Sequence, residues 1–310
     1  MSKRDFLSVD DVEPAELAAI LDGADRHKAD RRARDTLGGR TVALIFEKPS
    51  TRTRVSFEVA VHELGGYPLP LGGAELQLGR GETLEDTAAV LSRYVHAIVL
   101  RTFAQESLER LARGGTVPVV NALSDYSHPC QALADLQTIR EGKGRLEGIR
   151  LAYLGDGNNV AHSLLFAGAK MGMHVAVATP LGYEPIPQVV RRSTEIAAAT
   201  GGSVELTHDP ATAAKDADVL YTDVWASMGQ ELEHGERALI FKPYQLSTDT
   251  VMAAAPDVLV LHCLPAHRGE EIAAEVMDGP NSAVFDQAEN RLHTQKALLS
   301  WLLTGSADPS

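Results

Sequence analysis

Short, unbroken apolar runs rich in β-branched residues alternate along this chain with longer segments of mixed polarity. Seven of the runs read as buried strands: "TVALIF" (41–46), "AIVL" (97–100), "VPVVNAL" (117–123), "IRLAYLG" (149–155), "HVAVATP" (174–180), "VLYTDV" (219–224) and "VLVLHCL" (258–264). A strand that faces water on one side alternates apolar and polar residues; these do not, so both faces are covered. Helical patterns lie between most of them, which predicts an α/β protein built on parallel sheets flanked by helices. The Gly-rich, charged segment "REGKGRLEG" (140–148) is the best internal boundary. It predicts two α/β domains, 1–140 and 145–289. A last helix follows at 290–310, with apolar positions at Leu292, Leu298, Leu299, Leu302 and Leu303. Its pattern fits packing on either domain, including a return to the first.

Composition narrows the function. The chain of 310 residues has room for two ordinary cores. Its net charge of -13, from 29 basic and 42 acidic residues, is opposite to a nucleic-acid-binding footprint. An anionic small substrate would need a local basic site on such a surface. Two cysteines, Cys130 and Cys263, are too few for a disulfide framework and fit a reducing compartment. No apolar run reaches the roughly 20 residues of a membrane helix, and the N-terminus has no signal-peptide core. A cytoplasmic protein without membrane partners is expected.

Ligands of open α/β sheets bind at the carboxyl ends of the strands. Unusual polar residues cluster there. "PSTRTR" follows the first run, with Ser50, Thr51 and Thr53 beside the free N–H groups of a helix start and Arg52 adding a planar fork suited to phosphate. Arginine at a helix N-terminus opposes the helix dipole, so an anion there would account for it. Residues at i and i+2 do not share a helix face, and Arg54 therefore has a different job from Arg52. Arg101 ends another strand. In "SDYSHPCQALADL", Pro129 fits the first helical position, which makes His128 the N-cap and brings Gln131 near it. "LGGAELQLGRGETLEDTAAVL" (71–91) reads as a Gly-rich loop before a helix capped by Thr83 with Asp86.

In the second half, "YLGDGNNVAHSL" invites a dinucleotide reading that fails. Val160 stands where the third glycine belongs, and the next strand ends "ATP" without an acidic residue for a ribose. Asn158 and Asn159 instead offer amides at a helix start. Asp223, at the end of another strand, suits a substrate ammonium, and Ser227, Met228 and Gly229 form a turn after it. Cys263 follows His262, but strand neighbours point to opposite faces and cannot form a nucleophile pair. No set of three or four ligands has metal spacing, so neither a metal nor a cofactor is expected.

Together, "STRTR" (50–54), "HPCQALADL" (128–136), "GDGNN" (155–159), "DVWASMG" (223–229) and "HCLPAHRG" (262–269) resemble the aspartate/ornithine carbamoyltransferase family, on its ornithine side. They occur in that family's order and span nearly the whole chain. The resemblance implies an active site in the cleft between two domains and no cofactor. It implies carbamoyl phosphate at Ser50, Thr51, Arg52, Thr53, Gln77, Arg101, His128, Gln131, Cys263, Leu264 and Arg291. It places L-ornithine at Asn159, Asp223, Ser227 and Met228. Catalysis would involve Arg101, His128, Cys263 and Asp223. The δ-amine would attack the carbamoyl carbon, giving citrulline and phosphate through a tetrahedral intermediate without a covalent enzyme adduct, in arginine biosynthesis. A homotrimer is implied, in which the neighbouring chain's loop around Gln77 completes the site. Carbamoyl transfer to N-acetylornithine, putrescine or aspartate is the alternative.

Overall fold

The computed structural model describes residues 3–32, 35–72, 81–226 and 233–308. The chain divides into two compact units, Met1–Gln137 with Glu289–Ser310, and Thr138–Ala288. Elements of the first are α1 (Pro14–Ala29), β1 (Thr41–Phe46), α2 (Thr51–Glu63), β2 (Tyr67–Gly72), α3 (Leu84–Leu91), β3 (Ala97–Arg101), α4 (Gln105–Gly114) and β4 (Val119–Leu123). Helix α5 (Pro129–Lys143) leads into the second, followed by β5 (Arg150–Leu154), α6 (Asn159–Lys170), β6 (His174–Ala178), α7 (Pro187–Thr200) and β7 (Ser203–Thr207). Then come α8 (Pro210–Ala214), β8 (Val219–Thr222), α9 (His234–Phe241), α10 (Thr248–Ala253), β9 (Leu259–His262), α11 (Ala274–Met277) and α12 (Val284–Thr304).

Each unit carries one parallel sheet, ordered β2-β1-β3-β4 in the first and β7-β6-β5-β8-β9 in the second. All seven predicted strands are present, within three residues of the expected ends. Two strands, β2 and β7, have no counterpart among the predicted runs. Both are sheet edges, and neither contains a fully buried residue. In β2, Pro68 and Pro70 cannot donate to a ladder, which an edge tolerates. The stretch read as a loop from residue 71 thus begins inside β2.

The segment 140–148 is only partly a linker. Helix α5 runs on to Lys143, and Gly144, at φ 74°, follows it. Helix α12 begins at Val284, before the expected start, and its C-terminal part belongs to the first unit. There Lys296 Nζ meets Glu63 Oε2 at 3.0 Å, Lys28 Nζ donates to Asn290 Oδ1 at 2.9 Å, and Arg40 donates to the Leu303 carbonyl at 2.8 Å. Leu298 and Leu299 are fully buried. Among the described residues no helix is long and apolar enough to cross a membrane.

Candidate active site

In the first unit the site grows from the carboxyl ends of β1, β3 and β4. Ser50 is the extended N-cap of α2, but its hydroxyl makes no capping bond, and no acidic residue follows in the first turn. The helix start thus has no side-chain cap, and Thr51 and Arg52 beside it are exposed. Thr53 is buried, and its Oγ1 accepts from Arg291 Nη2 at 3.1 Å. The same guanidinium donates through Nη1 to Gln131 Oε1 at 2.7 Å. Gln131 Nε2 in turn donates to Asp135 Oδ1 at 2.8 Å. Arg54 is spent differently: its Nε donates to Glu58 Oε1 at 2.7 Å, one turn along the exposed side of α2.

His128 precedes Pro129, the first residue of α5, and its carbonyl accepts from the Gln131 and Ala132 N–H groups. Burial drives its imidazole well below the usual histidine range, and Arg291, Arg101 and Arg52 push it further the same way. His128 is thus neutral among three cations, ready to hydrogen-bond without adding charge. Lys48 joins this field. Burial and Arg101 lower its ammonium pKa, and its Nζ lies 3.7 Å from the Phe103 ring centroid. The concentration of positive charge suits a small anion.

The neutral His128 has a consequence for acid stability. Unfolding frees the imidazole to take up a proton below about pH 6.5, which the folded site resists. Stability contributed by the neutral ring is complete above that pH and falls as the pH drops toward the depressed folded pKa, by about 1.4 kcal/mol per pH unit. A His128→Gln variant should lose melting temperature less steeply between pH 6.5 and 5 than the wild type. Parallel slopes in thermal scans would show that His128 is not held neutral.

The second unit gathers its polar residues at the ends of β5, β8 and β9. Asp223 is buried, and both of its oxygens are engaged: Oδ1 accepts from Cys263 Sγ at 2.9 Å and Oδ2 from Asn158 Nδ2 at 2.9 Å. Asn158 caps α6, its Oδ1 accepting from the Val160 and Ala161 N–H groups. Asn159 is the first residue of α6. Gly157 serves packing, since a Cβ there would lie 2.3 Å from the Pro185 nitrogen. Ser227, Met228 and, in the first unit, Gln77 lie outside the described residues.

Cys263 lies just past the end of β9, and His262 and Cys263 bond different partners, Glu271 and Asp223. His262 Nδ1 accepts the Leu264 N–H at 2.9 Å, which leaves Nε2 to donate to Glu271 Oε1 at 3.0 Å. Leu264, at φ 59°, sits in the left-handed region, and this bond to His262 braces it. Burial raises the Glu271 carboxyl, but bonds from His262 and the His267 N–H outweigh it and leave its pKa below the ordinary value. The ligand atoms of Asp223, His262 and Cys263 fall within 4.8 Å of one another. Both His262 nitrogens are already committed, so a metal there would have to break a buried bond.

Comparison with known proteins agrees in both halves. The model for the carbamoyl-P binding domain of aspartate/ornithine carbamoyltransferase matches residues 4–141, and that for the Asp/Orn binding domain matches 147–302. The chain belongs to the aspartate/ornithine carbamoyltransferase family. The ornithine carbamoyltransferase of Parafrankia sp. is 66% identical, covering 98% of this chain and 97% of that protein. The anabolic ornithine carbamoyltransferase of Pyrococcus furiosus is 56% identical, covering 98% of each. The solved ornithine carbamoyltransferase structure from that organism superimposes with a TM-score of 0.94 over 98% of both chains.

Within this carbamoyltransferase, two charged residues near these clusters, Lys48 and Arg237, escaped the sequence reading. Lys48 lies in "FEKPST", two residues past the end of β1, a cation near a strand end as Arg52 is. Arg237 is buried on α9, 4.9 Å and 5.1 Å from the Tyr183 and Phe241 ring centroids. It bonds Asp156 and the Trp225 carbonyl. Burial lifts the Asp156 carboxyl to about 6, with Arg237 opposing and Asp223 adding to the rise. No periodicity marks Arg237, because its partners are far away in sequence.

Proposed function

We propose that this carbamoyltransferase acts on L-ornithine, moving the carbamoyl group of carbamoyl phosphate to the δ-amine and releasing citrulline and phosphate in arginine biosynthesis. The observation that carries the reading is Arg291, a buried cation bonded to both Thr53 at the start of α2 and Gln131 on α5. It ties the phosphate-facing helix terminus to the residue beside His128. Ser50, Thr51, Arg52 and Thr53 would hold the phosphate, with the helix dipole acting on the same anion. Arg101 and neutral His128 would stabilise the oxyanion as the tetrahedral intermediate forms, and Gln131 would meet the carbamoyl amide.

In the second unit, Asp223 has lone pairs left after Cys263 and Asn158, and these would receive the ornithine amine, with Asn159, Ser227 and Met228 around the amino acid. The nucleophile must be neutral, yet an alkyl amine of pKa ~10.4 is free base to only about 1 part in 2,500 near pH 7. Cys263, held on Asp223, would orient the amine or relay its proton, with Leu264 beside it. The reading extends to a cytoplasmic homotrimer in which the loop around Gln77 of a neighbouring chain completes each site. Sedimentation of the purified protein measures that assembly.

Phosphate release with carbamoyl phosphate and a panel of amines is the decisive assay. Ornithine-dependent release with citrulline as product supports the proposal. Release with N-acetylornithine, putrescine or aspartate in its place would sink it. Arg52→Ala should raise the KM for carbamoyl phosphate about tenfold or more, the scale of a lost charge-assisted bond, with little change in the melting temperature of the unliganded protein. A large loss of stability with unchanged KM would make Arg52 a structural residue.

A further inference from the structure

Gln131 is a buried amide whose two ends meet opposite chemistry. Arg291, at 2.7 Å from Oε1, has only N–H donors. Asp135, at 2.8 Å from Nε2, is an acceptor when ionised, and it is fully buried one turn along α5. A donor on one side and an acceptor on the other leave a single orientation for the amide. Oε1 must face Arg291, the side on which Thr53 and the α2 terminus lie, and it keeps one further lone pair there.

The geometry points to Asp135 as a positioning residue that sets substrate specificity: by holding Gln131 Nε2, it turns Oε1 toward Arg291 and gives the site an acceptor for the N–H of a carbamoyl group. The inference rests on the carbamoyl phosphate reading above. Acetyl phosphate matches carbamoyl phosphate in shape and charge but carries a methyl in place of the amide nitrogen. Bound in this site, it leaves the Oε1 lone pair buried and unmet, a penalty of about 5- to 150-fold in affinity. Asp135→Asn weakens the constraint from one side. An asparagine amide can donate as well as accept, so only Arg291 still favours one orientation of Gln131, and the acceptor offered to the ligand is held less firmly.

The test is steady-state citrulline formation with ornithine as co-substrate and acetyl phosphate as competitor against carbamoyl phosphate. In Asp135→Asn the KM for carbamoyl phosphate should rise about tenfold, while the Ki for acetyl phosphate stays within about twofold, so discrimination between the two collapses. A merely structural role would weaken both ligands alike, and an unchanged ratio overturns the inference. The wild type supplies an arm that does not depend on the variant folding: a Ki for acetyl phosphate within about twofold of the KM for carbamoyl phosphate overturns it equally. A wild type that makes no citrulline fails the parent reading and takes this inference with it. Citrulline formation without discrimination fails the inference alone.

Discussion

Arg291→Met should lower kcat/KM for carbamoyl phosphate by about 100-fold or more, the largest loss expected from any single change in the first unit. Methionine fills much of the same volume, so the effect is chemical rather than a cavity. The substitution removes a cation from the anion-binding field. It also strips donors from Gln131 Oε1 and Thr53 Oγ1, both on buried residues. Charge-assisted bonds contribute roughly twice as much as neutral ones, and two are lost together. A second readout separates this from general damage. Arg291 is the foremost charged neighbour depressing the His128 imidazole, after burial itself. Without it, His128 should titrate closer to the ordinary ~6.5, seen as an upward shift of its ring resonances in pH-dependent NMR. Equal losses for carbamoyl phosphate and ornithine, with His128 unmoved, would refute this account.

The second large effect is expected at Asp223. Asp223→Asn should raise the ornithine KM by about 100-fold and leave carbamoyl phosphate binding nearly intact. A donor already meets each carboxylate oxygen: the Asn158 amide N–H reaches Oδ2, and the Cys263 S–H reaches Oδ1. An asparagine must turn its own NH2 toward one of them, so a buried donor loses its acceptor as well as the charge being lost. The pH dependence should move in a direction that simple damage does not produce. A carboxylate beside an amine favours its protonated form, so an Asp223 in contact with ornithine would raise the pKa of the bound amine. Removing the charge lowers that pKa, and the rising limb of kcat against pH should shift toward acid even as KM worsens. A weakened enzyme with an unshifted limb would remove Asp223 from contact with the reacting amine.

The sequence exposed the fold wherever burial was symmetric. Central strands such as β1, β3, β5 and β8 are covered on both faces, and unbroken apolar runs betray them. Strands β4 and β9, also sheet edges, are largely buried and carry that signature, whereas β2 and β7 lack it because their side chains meet solvent. Their existence follows from neighbours, which a linear pattern does not display. The site was legible in a similar, partial way. Residues at strand ends or helix starts, such as Arg52, His128 and Asp223, break local rules and so attract notice. Asn158 was noticed as an amide at a helix start, but not as the residue that holds Asp223. Asp135 and Arg237 break no rule in their own helices; their significance lies in partners reached only through side-chain geometry.

The division of the chain also bears on how the enzyme is made. The first unit is discontinuous: its last part, from Glu289 onward, is separated from Gln137 by the whole of the second. Ribosomes add roughly 5–20 residues per second, so this interval lasts on the order of ten seconds or more. Throughout it the nascent N-terminal portion has Thr53 and Gln131 but lacks Arg291. The Arg291 bonds to Thr53 and Gln131 therefore cannot form until translation is almost finished. On the proposed reading an emerging chain would not capture its phosphorylated substrate early, and ligand binding would report that synthesis has reached its end.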